Sequence, residues 1–224
     1  TFNFIFELTK NISFNPGQYM EWTLGHEMPD NRGNRRYFTL ASSSTENDLL
    51  IGVKFYPVSS TYKQQLLSMN VGDTIMAGSL AGDFILPKDP DEKLVFIAGG
   101  IGITPFRSMI KYLIDTNNKR DIVLIYSNKT VDDIAYSELF NEARKKIGIK
   151  IIYTLTDINL APIDWKGNVG FIDAEILTKE IPDYSQRTFY ISGPRSMVNA
   201  FSDTLKILGV KKTKIKKDFF PGFV

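Results

Sequence analysis

Cysteine is absent from the 224 residues. Its absence excludes disulfides, thiol nucleophiles and cysteine-ligated iron–sulfur clusters from this chain, and it fits a reducing compartment. Histidine occurs once, as His26 in a polar loop, which argues against a histidine-built metal site and leaves His26 as a surface loop residue. No apolar run reaches the roughly 18 residues that cross a bilayer as a helix. No signal peptide is legible. Charge of one sign is also lacking: 27 basic against 25 acidic residues leave +2, too weak a field to gather nucleic acid or an anionic membrane. The one basic cluster, Lys211 to Lys217, alternates around Ile215 and reads mainly as a strand with a solvated face rather than an anion-binding patch.

What is present suits a soluble globular protein. Hydrophobic residues make up 43% and charged residues 23%, enough to build a core. The length fits one large domain or two of about 100 residues. The chain opens without an initiator Met and already alternates at Phe2, Phe4 and Phe6. It is expected to be a piece of something longer.

The first part predicts β structure. Phe2, Phe4, Phe6 and Leu8 alternate with polar residues, the period of a half-buried strand. Asn15-Pro16-Gly17 marks a turn, and residues 19–24 alternate again. Residues 26–34 form a polar loop. Strands are expected at 36–42, 49–56, 74–77 and 84–86, with a short helix from Ser60. Short strands with Gly turns predict a small antiparallel barrel over residues 1–88. Residues 87–92, polar and carrying two prolines, are the linker. Beyond it Leu94-Val95-Phe96-Ile97-Ala98 runs continuously apolar, as a buried parallel strand does. Strands and helices then alternate: helix 105–116, strand 122–126, helix 135–147, strand 150–154, helix 174–179, strand 188–191, helix 195–208 and strand 214–217. That order predicts an α/β domain with a largely parallel sheet over residues 92–224.

Candidate chemistry gathers at strand ends. Ala98-Gly99-Gly100-Ile101-Gly102-Ile103-Thr104-Pro105 lies where the first α/β strand gives way to a helix. Its glycines let backbone approach a ligand, Pro105 suits a first helical turn, and ligands of open α/β sheets bind beyond the carboxyl ends of strands. Position 105 is Pro where a dinucleotide fingerprint has its third Gly, so a tight turn without a ligand stays open. The next strand ends in Ser127-Asn128-Lys129. Lys129 is either a point charge for a 2′-phosphate or a solvated loop lysine, and no Asp or Glu sits at that strand end to hold a bare 2′-hydroxyl. The fourth ends in Ser192-Gly193-Pro194, ahead of a helix carrying Met197. In the barrel half, Arg36 and Phe38 share a strand face, with Tyr37 and Thr39 on the other. A guanidinium matches a diphosphate and an aromatic covers a flat ring, though plain strand alternation gives the same pattern. Ser59, Ser60 and Thr61 precede the short helix, where hydroxyls serve as caps.

In this order, Arg36-x-Phe38-Thr39, Gly82-Asp83-Phe84, Gly99 to Pro105 and Ser192-Gly193-Pro194 resemble the ferredoxin–NADP reductase superfamily over about residues 12–224. The resemblance implies an oxidoreductase with FAD in the barrel and NAD(P)H in the α/β domain. It implies that Arg36 pairs the FAD diphosphate, that Phe38 lies along the flavin with Tyr37 beside it, and that Thr39 offers its hydroxyl to the flavin nitrogen that accepts the hydride. Val53, Lys54 and Phe55 pass the adenosine and diphosphate, and Ser59, Ser60 and Thr61 meet the phosphate. Gly100 and Thr104 border the nicotinamide, with Ser192 orienting it. Ser127, Asn128 and Lys129 face the adenosine ribose, and Gly193, Pro194 and Met197 line the groove. Three features depart from the family pattern or vary within it: Phe38 stands where Tyr is usual, Ser192 where Cys is frequent, and Phe223 is the candidate aromatic lid. Electrons pass to a separate acceptor protein or domain; the alternative is an FAD relay without an efficient NAD(P)H site. Residues 16–22 and 32–39 are similar to bacterial reductase modules fused behind a membrane domain. That implies a cytoplasmic position at the inner face of the membrane, in a longer protein.

Overall fold

The computed structural model describes residues 1–220, Phe220 by its backbone alone. The expected lid Phe223 lies outside the described residues.

The first half is built from two antiparallel sheets. One has the order β3 (Arg35–Thr39), β2 (Tyr19–Thr23), β5 (Met76–Ala81); the other pairs β1 (Phe2–Phe6) with β4 (Leu49–Val53). The two join where the N–H groups of Ala41 and Ser42 both reach Leu50 O, giving the expected barrel-like fold. Register explains the faces. Trp22 stands opposite Arg36 and Met20 opposite Phe38, so Phe38 and the stem of Arg36 lie on the side of the buried Met20, Trp22, Leu40, Ile51 and Tyr62. Helix α1 (Thr61–Leu67) plugs this core with Tyr62 and Leu66, and Tyr62 donates its hydroxyl to Trp22 O.

The second half is a six-stranded parallel sheet of order β11-β10-β6-β7-β8-β9. Its strands are β6 (Leu94–Gly99), β7 (Ile122–Asn128), β8 (Lys150–Leu155), β9 (Asn168–Val169), β10 (Thr188–Pro194) and β11 (Ile215–Phe220). Leu94, Phe96 and Ala98 face α2 (Thr104–Asp115) and α3 (Ser137–Ile147). Val95 and Ile97 face α4 (Ala174–Glu180) and α5 (Arg195–Ile207). Burial on both faces is why the β6 run shows no alternation. The chain runs outward from β6 through β7 and β8, then returns to β10 on the opposite side. The β6/β10 boundary is therefore a topological switch point, where a crevice opens at the strands' carboxyl ends.

Several expected elements differ, among them β7, β10 and β11, which run two or three residues further than predicted, and α3, which starts two residues late. Residues 84–86 are not a strand: Phe84 packs on the Phe106 and Tyr190 rings, and Ile85 O accepts the Tyr190 hydroxyl. A three-residue apolar alternation cannot tell a ladder from a segment pinned by side chains. β5 starts at Met76, two residues late. β3 ends at Thr39 and β4 at Val53, both earlier than predicted. The two-residue β9 had no sequence signal.

At the amino ends of the strands sits an ion-pair knot. Arg187, with its side chain 7% exposed, binds Asp183 and Asp121 and donates to Leu94 O. Lys93 joins through Asp183.

Candidate functional site

The turn after β6 is shaped by glycine. Gly100 has φ +51° with open space where a side chain would project, a conformation L residues rarely adopt. Residues 100–103 make one 3-10 turn before α2, and Pro105 occupies its first turn. Gly102 packs against the other strand-end turn: a Cβ there would land on the Ser192 carbonyl. Gly102→Ala is expected to cost about 1–3 kcal/mol, since the clash is with backbone; urea unfolding measures it, and a loss under about 0.5 kcal/mol would show that the two turns are not locked together. Thr104 is 3% exposed and donates its hydroxyl to Ile101 O at 2.7 Å.

Across the switch point, Ser192 is fully buried and Gly193 lies with its backbone against Gly99. The Met197 side chain reaches both glycines, and Pro194 lies against Gly99. Ser192 donates to Asp218 Oδ2 at 3.4 Å, because β10 and β11 pair these two residues directly. Sequence reasoning did not select Asp218; only the strand register brings it here. Burial, opposed by the Ser192 hydrogen bond and aided by the Asp83 charge, pushes its carboxyl up to about 6. The folded state therefore holds a proton that the unfolded chain releases near its ordinary 3.8. The stability this adds is full below about 3.8 and is lost as pH rises through about 6. Asp218→Asn is thus expected to raise the melting temperature by about 2–4 °C at pH 8 and by little at pH 4. Equal effects at both pH values would contradict this.

At the third strand end Ser127 is half-buried, Asn128 is 3% exposed and Lys129 is exposed. Asn128 is thus buried at the strand end, its side-chain Oδ1 and Nδ2 without a hydrogen-bond partner among the described residues. An acid does stand here, supplied by the end of β8: Asp157 Oδ2 lies 3.9 Å from Lys129 Nζ. A neighbouring strand, invisible to a linear reading, provides it.

In the barrel the Arg36 guanidinium lies 4.9 Å over the Tyr62 ring. Its Nη1 donates to the carbonyls of Arg32, Gly33 and Arg35, and its Nη2 to both Asp30 oxygens. Phe38 packs on Tyr62 at 6.1 Å. Tyr37 points to the other face, exposed, and donates to Glu21, so it is not brought together with Arg36 and Phe38. Thr39, 5% exposed, ends that strand. Ser60 Oγ caps α1 by accepting from Lys63 N, and Ser59 donates to Tyr56 O. Thr61 Oγ1 meets His26 Nε2 and accepts from Asp30 N. The expectation of a surface His26 is therefore corrected: the ring is half-buried and tied to Thr61. Val53 is buried in the barrel core. Lys54 pairs with Asp133 of the other half at 2.7 Å, and Phe55 packs on Phe2 and Phe4. These two side chains serve packing and interdomain contact.

Lys63 was also missed. Its ammonium donates to Lys54 O beside the Phe55 and Tyr56 rings. Burial, then repulsion from Arg32 and Arg36, lowers its pKa. Arg32 and Arg36, which share the Asp30 carboxylate, and Lys63, which they repel, suit a polyanion such as a dinucleotide diphosphate. Among the described residues no cluster of acids and His could hold a metal ion, and no helix is long and apolar enough to cross a membrane.

Residues 96–203 match the model of the oxidoreductase NAD-binding domain. The chain is 26% identical, over 98% of its length and 60% of the relative's, to a glycine betaine monooxygenase reductase subunit of Chromohalobacter salexigens. It is 28% identical to NADH-cytochrome b5 reductase 1 of Debaryomyces hansenii, covering 92% of this chain and 72% of that one. The flavohem-like FAD/NAD binding domain of nitric oxide dioxygenase from Vibrio cholerae superposes with a TM-score of 0.83 at 21% identity, over 97% of this chain and 91% of that one. Of the betaine reductase subunit and a Candida albicans flavohemoprotein, the chain spans 60% and 50% of the length.

Proposed function

We propose that this chain, which belongs to the ferredoxin–NADP reductase superfamily, takes a hydride from NAD(P)H onto FAD and hands the electrons to an acceptor outside it. The observation that carries this reading is the pair of glycine turns at the β6/β10 switch point. Two glycine turns, after β6 and in β10, touch at Gly102 and Ser192, and the same α2 that leaves the first turn packs against the barrel segment after Thr39 through Ser108 Oγ→Ser42 O at 2.6 Å.

Bound FAD supplies the hydride acceptor and the conversion of a two-electron input to single-electron output. The chain's own part is placement. Arg36 and Lys63 hold the diphosphate, with Ser60 and Thr61 beside them; for Arg36 this requires trading Asp30 for phosphate. Phe38 supports the cofactor's side. Thr39 and Thr104 orient the two reacting rings from opposite halves, and Ser192, steadied by Asp218, orients the amide. Gly100, Gly193 and Pro194 let the nucleotide approach backbone, while Ser127 and Lys129 lie toward the ribose. The acceptor is a separate protein or domain. Relatives are named for an oxygenase partner and for cytochrome b5; here the acceptor is unidentified, and attachment to a membrane domain outside this chain, at the cytoplasmic face, is part of the same reading. The domain boundary falls at residues 88–92.

The relay alternative draws on one feature: Met197 already fills space against Gly99 and Gly193. An anaerobic titration with NADH and with NADPH separates the readings. Protein loaded with FAD bleaches with at least one nicotinamide if the proposal holds and with neither if it is a relay; protein that takes up no FAD refutes both.

A further inference from the structure

Helix α2 starts at Thr104, and three residues later Arg107 leaves the α/β half altogether. Its Nη1 donates to Ala41 O at 2.9 Å and also reaches Glu46 Oε2, while Nη2 donates to Glu46 Oε1 at 2.9 Å. Glu46 is itself held, accepting from Ser43 N at 2.7 Å. The pair is shielded, with side chains 12% and 26% exposed. Ser108 adds its bond to Ser42 O one residue on. Ala41 lies two residues past Thr39. One guanidinium thus bolts the segment behind Thr39 to the first turn of the helix behind Thr104.

Of the other ties between the halves, Lys54 to Asp133 touches neither segment, Tyr136 bonds Asn3 while its ring lies 5.9 Å from the Arg107 guanidinium, and Thr45 donates to Asp115 at the far end of α2; Arg107 is the charged tie at the helix's first turn. The Arg107 fork is planar and uses two donors on one carboxylate, so it fixes orientation as well as distance. A shielded ion pair adds little net stability over an apolar substitute, but it can select one geometry. Transfer between two held groups falls steeply with misplacement of an ångström. We propose that Arg107, braced by Glu46, is a positioning residue that sets the gap between the Thr39 segment and the Thr104 helix, and hence between flavin and nicotinamide. This rests on the reductase reading above.

The test uses the full chain with FAD, as wild type, Arg107→Met, Arg107→Lys and Glu46→Gln. Three quantities are measured: dissociation constants for FAD and the nicotinamide, the rate of flavin reduction at saturating nicotinamide, and the long-wavelength charge-transfer absorbance of reduced flavin beside oxidised nicotinamide. Arg107→Met is expected to lower the saturated rate about tenfold and to abolish the charge-transfer absorbance, with both dissociation constants within about threefold of wild type. Arg107→Lys keeps a cation but not the fork and should recover part of both signals. Glu46→Gln, which keeps one acceptor, should fall between, and it decides the matter if Arg107→Met does not fold. Variants that melt earlier yet keep the wild-type saturated rate and absorbance overturn the proposal, since Arg107 would then be a structural tie only. A wild type that binds no FAD overturns the reductase reading and this inference with it; a wild type that works while the variants match it overturns this inference alone.

Discussion

Arg187→Met is expected to lower the unfolding free energy by about 3 kcal/mol, toward the lower end of what breaking a buried ion pair costs. The guanidinium is nearly fully buried, but Asp121 is 47% and Asp183 28% exposed at their side chains, so water softens the loss. What cannot be solvated is the Leu94 carbonyl, which accepts from Arg187 inside the sheet. Urea unfolding at pH 7 measures the change, and a loss below about 1 kcal/mol would mean that the knot is surface electrostatics. An acid limb should change as well. The hydrogen bond from Arg187, opposed by burial and aided by Lys93, holds the Asp183 carboxyl down to about 2. A depressed carboxyl contributes stability above its unfolded value of 3.8 that disappears as pH falls through about 2. In the Met variant that stretch of the pH–stability curve should flatten.

Arg36→Ala is expected to weaken FAD binding about 100-fold or more. A charge-assisted hydrogen bond contributes about 1.5–3 kcal/mol, and a fork offers two. Flavin fluorescence titration reads the affinity. Arg36→Lys should recover only a fraction, because an ammonium is a point charge without the planar fork. The Asp30 carboxylate that occupies Nη2 sharpens the expectation: Asp30→Asn should bind FAD at least as tightly as wild type, since an internal anion no longer competes. If Arg36→Ala retained wild-type affinity, the diphosphate would have to lie elsewhere and the Lys63 corner would lose its main argument.

Much of this was legible in the chain. The unbroken apolar run of residues 94–98 announced a strand buried on both faces, and glycines following two strands marked where a ligand could approach backbone. Alternation at Arg36 and Phe38 gave the face they share, and correctly set Tyr37 apart from them. The rest depended on distance in space rather than in sequence. Asp218 meets Ser192 only through the β10/β11 register, and Asp157 reaches Lys129 only because β8 lies beside β7. Lys63 carries no local signal, and only the fold brings it beside Arg32 and Arg36. Arg107 follows the glycine turn closely, yet nothing local says that its partner is 61 residues earlier. His26, in a polar loop, reads as solvent-facing because composition cannot report a bond to Thr61. Phe84 to Leu86 mimicked a strand because three residues are too few to fix a period.

The switch point has a temporal side. β6 is completed by residue 99, but its neighbour on the crevice side, β10, begins only at residue 188. A chain emerging from the ribosome can close the barrel and pair β6 with β7 and β8 long before that strand is available. Pairing across so long a separation is slow, because loop closure must precede any reward from contact. The crevice is therefore assembled last. A nascent chain could acquire its flavin while still unable to accept a nicotinamide, so reducing equivalents would reach the cofactor only once the carboxyl-terminal strands had docked.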